Sequence, residues 1–296
     1  MRKIIDLLRT KRTLSFEFFP PKTDEGRAKL YEAAEKFAAL GADFFSVTYG
    51  AGGSTSKATL EILTELYRRT HLPVMHHFTC VGHGRKAIAE AMAAMRAADV
   101  CNVLAMRGDL PVDQSLYAPL GDEPRFGYEL VELLREEDDF FCVGVPGFPE
   151  GHVHTPTRQL DSQYLKIKQD AGAEFVITQL FFNNAEFDDY IVRTAHAGVT
   201  MPIVPGILPI TDFDKLVKFC DICGAALTPA IVKTFAPLAG NAQATLEMGI
   251  DVVTRQCQEL LDRGCRGLHF FCLNKYEPVA TIVGRLKVQP FASSPR

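Results

Sequence analysis

Short apolar runs recur along the whole chain, at Leu14–Phe19, Asp43–Tyr49, Val74–Thr79, Asn102–Met106, Phe140–Val145, Phe175–Leu180, Ile203–Ile207 and Gly267–Leu273. Each has the length of a strand and reads as one buried on both faces. Between them lie segments whose apolar residues repeat about every 3.6 positions. These predict helices over Arg27–Ala39, Lys57–Arg69, Lys86–Ala98, Tyr128–Glu137, Thr157–Ala171, Ala185–Ala197, Asp212–Cys223 and Asn241–Arg263. Gly41, Gly172 and Gly264 follow three of these helices and precede new strands, the place of a left-handed C-cap. Strict strand–helix alternation implies parallel strands joined by right-handed crossovers. Eight such units close most naturally as one α/β domain, a (β/α)8 TIM barrel over residues 14–290; a doubly wound open sheet is the alternative. The connection from Ile207 to Gly267 has room for one more helix. Residues 1–13 predict an amphipathic N-terminal helix, with Ile4, Ile5, Leu7 and Leu8 available to cover a barrel end or touch a partner subunit. Residues 291–296 read as a disordered tail.

Composition narrows the function classes. The 296 residues carry a net charge of -4, which provides no electrostatic pull toward nucleic acid or an anionic membrane. No run of about 18 apolar residues could span a bilayer, and the basic start lacks the long apolar core of a signal peptide. Of the eight cysteines, Cys80, Cys101, Cys142 and Cys272 sit inside apolar patterns, so a reduced, cytoplasmic protein is expected. Cys220 and Cys223 form a lone Cys-x-x-Cys without the second pair of a zinc finger, and no metal is expected.

In such a barrel, chemistry gathers at the C-terminal ends of the strands. The first strand ends in Ser15-Phe16-Glu17-Phe18-Phe19-Pro20-Pro21. Alternation sends Phe16 and Phe18 one way and Ser15, Glu17 and Phe19 the other, setting one carboxylate among aromatic rings. Burial there would lift a glutamate from about 4.3 toward roughly 6 to 7, the range of a general acid; the alternative is a salt bridge to a neighbouring strand. The second strand ends in Thr48-Tyr49-Gly50 and the third carries His76-His77. Arg107-Gly108-Asp109 ends the fourth, either as a salt bridge or as an arginine for phosphate beside an aspartate that stabilises positive charge. The fifth leads into Pro146-Gly147-Phe148-Pro149-Glu150-Gly151-His152, and Asp161 and Lys168 on the next helix share a face (i, i+7) that could grip an adenosine diphosphate or simply be solvated. Gln179, ending the sixth, can both donate to and accept from a pterin or nicotinamide edge. No Gly-x-Gly-x-x-Gly or Gly-x-x-x-x-Gly-Lys-Ser/Thr is present, so any dinucleotide must be held by the barrel itself.

These motifs, with Val47-Thr48-Tyr49-Gly50, His77-Phe78-Thr79-Cys80, Pro149-Glu150-Gly151-His152, Ile177-Thr178-Gln179-Leu180-Phe181-Phe182, Pro205-Gly206-Ile207-Leu208-Pro209 and His269-Phe270-Phe271-Cys272-Leu273-Asn274, resemble in order those of the methylenetetrahydrofolate reductases, in the short bacterial form. The resemblance spans about residues 14–275. It implies reduction of 5,10-methylenetetrahydrofolate to 5-methyltetrahydrofolate by NADH or NADPH through non-covalent FAD, in a ping-pong cycle. It also implies that Glu17 is the general acid and that Asp109 lies beside the flavin, favouring a substrate cation. Thr48, Tyr49, His77, Arg107, Gly108, Asp109, Phe148, His152, Asp161 and Lys168 would contact FAD, and Gln179, Lys215, Phe219 and Lys275 the folate, whose glutamate end suits a lysine. The chain ends where the eukaryotic enzymes continue into an S-adenosylmethionine-binding region, so that regulation is not expected; a homo-oligomer is. Two positions depart from the pattern. Phe148 replaces a tyrosine, and Ile167 a basic residue that would touch an FAD phosphate. Three other readings compete: flavin-free hydride transfer in the same barrel, a partner-dependent folate-binding subunit, and a zinc methyltransferase using Cys265 and Cys272. Without a Rossmann unit, no residue distinguishes NADH from NADPH.

Overall fold

The computed structural model describes residues 1–48, 56–109, 120–136 and 138–287. Eight strands, β1 (Thr13–Phe18), β2 (Phe44–Val47), β3 (Val74–Thr79), β4 (Asn102–Met106), β5 (Cys142–Gly147), β6 (Phe175–Leu180), β7 (Ile203–Ile207) and β8 (Gly267–Phe271), form a closed parallel barrel in chain order. The ring is sealed where β1 meets β8, in register from Thr13↔Gly267 to Glu17↔Phe271. Every predicted run is a strand, and closure decides between barrel and open sheet.

The helices are α1 (Ile4–Thr10), α2 (Asp24–Ala39), α3 (Ser56–Thr70), α4 (Arg85–Ala97), α5 (Gly127–Arg135), α6 (Arg158–Asp170), α7 (Asn184–His196), α8 (Phe213–Cys223), α9 (Pro229–Phe235), α10 (Ala242–Asp262) and α11 (Val279–Gly284). Gly41, Gly172 and Gly264 adopt φ of 102°, 112° and 87°, as their C-cap role requires. The extra helix anticipated between Ile207 and Gly267 is α9. The sequence pattern did not predict α11, because Val279, Thr281, Ile282 and Val283 are all β-branched and helix propensity is weak there; burial of Val279 and Ile282 holds it instead.

The two-residue period of the strands divides the interior into two cores. Phe16, Phe45, Val103, Val145 and Phe270 pack against the surrounding helices, where Phe16 stacks on Phe37 of α2 at 3.9 Å. Phe44, Met75, Leu104, Cys142, Phe175 and Val204 fill the barrel and meet Ile4, Ile5, Leu7 and Leu8 of α1. That helix plugs the N-terminal end of the barrel. Burying each aliphatic side chain is worth about 1.5–3 kcal/mol, which holds a helix far too short to persist alone. Its first amide, that of Ile4, donates to Asn102 Oδ1 at 2.8 Å, and Lys11 pairs with Asp43 just beyond its end. With the floor closed, the opposite rim is left for a ligand.

Candidate active site at the C-terminal mouth of the barrel

Glu17 is the fifth residue of β1, and alternation turns it inward together with Ser15. His77 from β3 and His269 from β8 turn inward at neighbouring positions. Glu17 Oε2 lies 3.3 Å from His77 Nε2 and 3.4 Å from His269 Nε2, while His269 Nδ1 is 2.8 Å from Ser15 Oγ. Both imidazoles are buried, whereas the Glu17 side chain keeps 16% exposure toward the mouth. The carboxylate thus sits among imidazoles rather than the phenyl rings expected from the sequence, and this changes its electrostatics. Burial opposes ionisation of Glu17, yet the His77 charge, the hydrogen bond from His269 and the His269 charge together outweigh it. Its carboxyl is held below the ordinary glutamate value, the reverse of the expected rise. Burial also pushes His77 down, against the pull of Glu17.

Ser15 sets how the His269 ring can be protonated. Its hydroxyl also lies 3.3 Å from Leu268 O. Donating there, Ser15 accepts from Nδ1–H and permits a doubly protonated ring; donating to Nδ1, it leaves a neutral ring with Nε2–H toward Glu17. Sequence reasoning assigned no role to Ser15 or His269. The signal was present, because once β8 closes against β1 the two-residue period places both beside Glu17.

A second cluster lies on the β4–β5 side. Gly108 has φ of 86°, and a Cβ there would stand 3.0 Å from Thr79 Cβ, so a glycine is needed to carry Arg107 and Asp109 across the rim. The carbonyl of Arg107 accepts from the amides of Cys80 and Val81 at 3.2 and 2.9 Å, fixing its backbone. Arg107 and Asp109 form no ion pair with each other. Lys168 of α6 is half-buried, with Nζ 3.4 Å from Pro146 O and 5.9 Å from the centre of the Phe148 ring. Burial lowers its pKa, opposed by Asp161, whose own carboxyl is raised by burial against the attraction of Lys168. The His152 ring meets Phe148 edge-on at 4.6 Å. Burial holds His152 low, the charges of His154, Lys168 and Arg107 add to this, and Asp109 opposes it, so these groups share one neighbourhood.

Gln179 follows the inward alternation of Phe175 and Ile177 to the C-terminal end of β6. Ile177 pairs with Val204 but Leu180 with Gly206, so β6 carries one residue more than β7 between these points. Sequence alternation cannot reveal this shift.

The remaining expected residues are less drawn together. Thr48 is half-buried at the end of β2, its amide donating to Phe18 O at 2.9 Å; Tyr49 lies outside the described residues. Lys215, in the first turn of α8, is 83% exposed and paired with the helix cap Asp212 at 2.8 Å. Phe219 and Lys275 are exposed. Cys265 and Cys272 flank β8 at opposite ends and cannot bind one zinc ion together. Among the described residues, no three His, Cys, Asp or Glu side chains are grouped to hold a metal, and no helix is long and apolar enough to cross a membrane.

The family described as Methylenetetrahydrofolate reductase matches residues 1–287. A rice protein named probable methylenetetrahydrofolate reductase (NADH) is 34% identical over 93% of the chain, and the chain spans only 48% of that relative's length. Bacterial 5,10-methylenetetrahydrofolate reductases from Pectobacterium carotovorum and Escherichia coli are each 31% identical, covering 96% and 94% of the chain and 93% and 91% of their own. Among solved structures, an uncharacterized Clostridium thermocellum protein that binds two copies of 5-methyl-5,6,7,8-tetrahydrofolic acid superposes with a TM-score of 0.59 at 12% identity, over 94% of this chain and 95% of that one, a likeness of fold alone. With a family match along nearly its whole length and bacterial relatives of its own size, the chain belongs to the methylenetetrahydrofolate reductase family.

Proposed function

We propose that the protein reduces 5,10-methylenetetrahydrofolate to 5-methyltetrahydrofolate with NADH or NADPH, and that FAD carries the hydride between them. The observation that carries this reading is the Ser15–His269–Glu17–His77 set beneath the barrel mouth, in a chain of this family. Opening the methylene bridge requires a proton on a folate nitrogen and leaves an electron-poor carbon to receive hydride. Glu17, partly open to the mouth, is the member able to reach a substrate. His77 and His269 behind it are the groups with which Glu17 can exchange a proton, and Ser15 keeps His269 turned toward it. Asp109 at the rim favours the cation that forms when the bridge opens.

The residues present fit FAD. Arg107 makes no ion pair with a described residue, and half-buried Lys168 has only a long contact to a carbonyl beside Asp161, so two cations stand ready for a diphosphate. Phe148 and His152 present rings beside them. When bound, FAD would accept hydride from the nicotinamide and deliver it to the folate. Gln179 is the amide suited to the edge of either partner, and Phe219 and Lys275, both exposed, suit the outer part of a folate. Ile167, 44% exposed on α6, adds no charge to this site, so Lys168 carries more of the phosphate than a paired basic residue would require.

The test is the visible spectrum of the purified chain under anaerobic conditions. A band near about 450 nm, characteristic of oxidised flavin, should bleach with NADH and return with methylenetetrahydrofolate. A colourless chain that FAD cannot reconstitute, yet reduces the folate, would replace this reading with direct hydride transfer. A chain that only binds folate would make it a partner-dependent subunit.

A further inference from the structure

Gln179 opens onto a seam that is shut. Phe148, Glu150 and Gln179 line one side, and Cys223, Gly224 and Ala225 the other, around a cavity of only about 10 Å³. That is room for no more than one water, and no pterin or nicotinamide ring could enter. The two sides are joined by a specific tie. Glu150 Oε2 accepts from the Ala226 amide at 2.7 Å, linking the β5–α6 connection to the α8–α9 connection. Beside it, Val153 rests on Gly224, where a Cβ would stand 2.1 Å from Val153 Cγ1. Gly224 also has φ of 74°, so the contact requires glycine twice over.

The two sides differ in how firmly they are held. The Glu150 side is a post: Gly151 N donates to Phe148 O at 2.9 Å, and Arg193 of α7 grips Pro149 O at 2.7 Å while also holding Arg158 O and Ser162 Oγ. The other side is loosely packed. α8 buries two of its eleven residues, Leu216 and Cys220, whereas α7 buries four of thirteen and α10 eight of twenty-one. α8 is coupled to α9 by the stacked rings of Phe213 and Phe235 at 5.7 Å, and Ile231 and the fully buried Phe235 anchor α9 in the core, a pivot about which α8 can swing. Low burial places such a unit at the low-stability end of the fold.

We propose that Glu150 is a positioning residue, the catch of a gate formed by α8 and α9, whose release parts the seam and admits a flat ring to Gln179. The proposal rests on the functional reading above only for the identity of the ring. At the seam itself, opening breaks the Glu150–Ala226 hydrogen bond and the Val153–Gly224 contact, and closing restores both around the bound molecule.

Hydrogen–deuterium exchange at the Ala226 amide of the full chain, and stopped-flow association of 5-methyltetrahydrofolate with the FAD-loaded chain, test this in wild type, Glu150→Ala and Glu150→Gln. In Glu150→Ala, exchange at Ala226 should accelerate about tenfold and association about fivefold, while Glu150→Gln, which keeps a carbonyl acceptor, should stay within about twofold of wild type. Unchanged exchange in Glu150→Ala overturns the catch. Faster exchange with unchanged association overturns the gate. Should Glu150→Ala fail to fold, Val153→Ala replaces it, with exchange over Gly224–Ala226 expected to rise about threefold and an unchanged rate counting against the proposal. A wild-type chain that binds no folate would sink the functional reading, while the exchange measurement would still decide whether the catch exists.

Discussion

Glu17 illustrates what one position can and cannot tell. Its chemistry was legible, because a carboxylate at the end of an aromatic strand in a barrel is costly without a task. Its sign was not. Two histidines remote in sequence hold it ionised, where burial alone would have kept it protonated. To act as an acid Glu17 must first take up a proton, which glutamine cannot do, so Glu17→Gln should lower methylenetetrahydrofolate reduction by about a hundredfold or more while leaving flavin reduction by NADH within about threefold. Single-turnover kinetics of the two half-reactions check this, and their joint collapse would argue against the general-acid role. His76, adjacent to the cluster but on the outward face, supplies a stability prediction. Burial, aided by the His77 charge, holds it at about 4 against an ordinary 6.5. Below the ordinary value the unfolded chain takes up a proton that the folded chain refuses, so stability rises with pH across this window. The loss from pH 7 to pH 4 traceable to His76 should approach about 3 kcal/mol. Urea titrations across that range should show a shallower decline in His76→Phe, and identical slopes would refute the assignment.

Elements act here through closure. α1 has no more than seven residues, yet four of its side chains are fully enclosed and complete the barrel interior. Leu8→Ala should cost about 2–5 kcal/mol by opening a cavity that the surrounding strands cannot collapse. The urea midpoint measures it, and because α1 lies at the end opposite the mouth, the KM for methylenetetrahydrofolate should change less than about twofold. A large KM change with little loss of stability would mean that the plug acts on the site directly. β6 carries an irregularity of its own, one residue more than β7 between the pairs Ile177↔Val204 and Leu180↔Gly206. Amphipathic periodicity predicted all the long helices, since their buried stripes are continuous. It missed α11, whose six β-branched-rich residues become helical only through packing.

At the scale of the molecule, the two proposed roles fall to different residues: Arg107 and Lys168 at the rim would hold the cofactor, and the Glu17 cluster would handle the proton. If Arg107 and Lys168 take the FAD diphosphate, FAD at about a hundred times its dissociation constant should stabilise the chain by about 2.7 kcal/mol. Thermal melts should rise accordingly, and Lys168→Met at the same FAD concentration should lose most of the gain. An equal rise in the variant would place the phosphates elsewhere.

The strand–helix alternation, the glycine caps and the polar ends of the strands were all determined by the amino-acid sequence by itself, because each depends on a local period or a local backbone preference. Its motifs also carried the family. Three things were decided by the tertiary structure alone: the histidines that surround Glu17, the register shift between β6 and β7, and the tie between Glu150 and Ala226. Each depends on which strands and loops become neighbours when the barrel closes. That proximity joins residues up to 252 positions apart, and no local pattern encodes it.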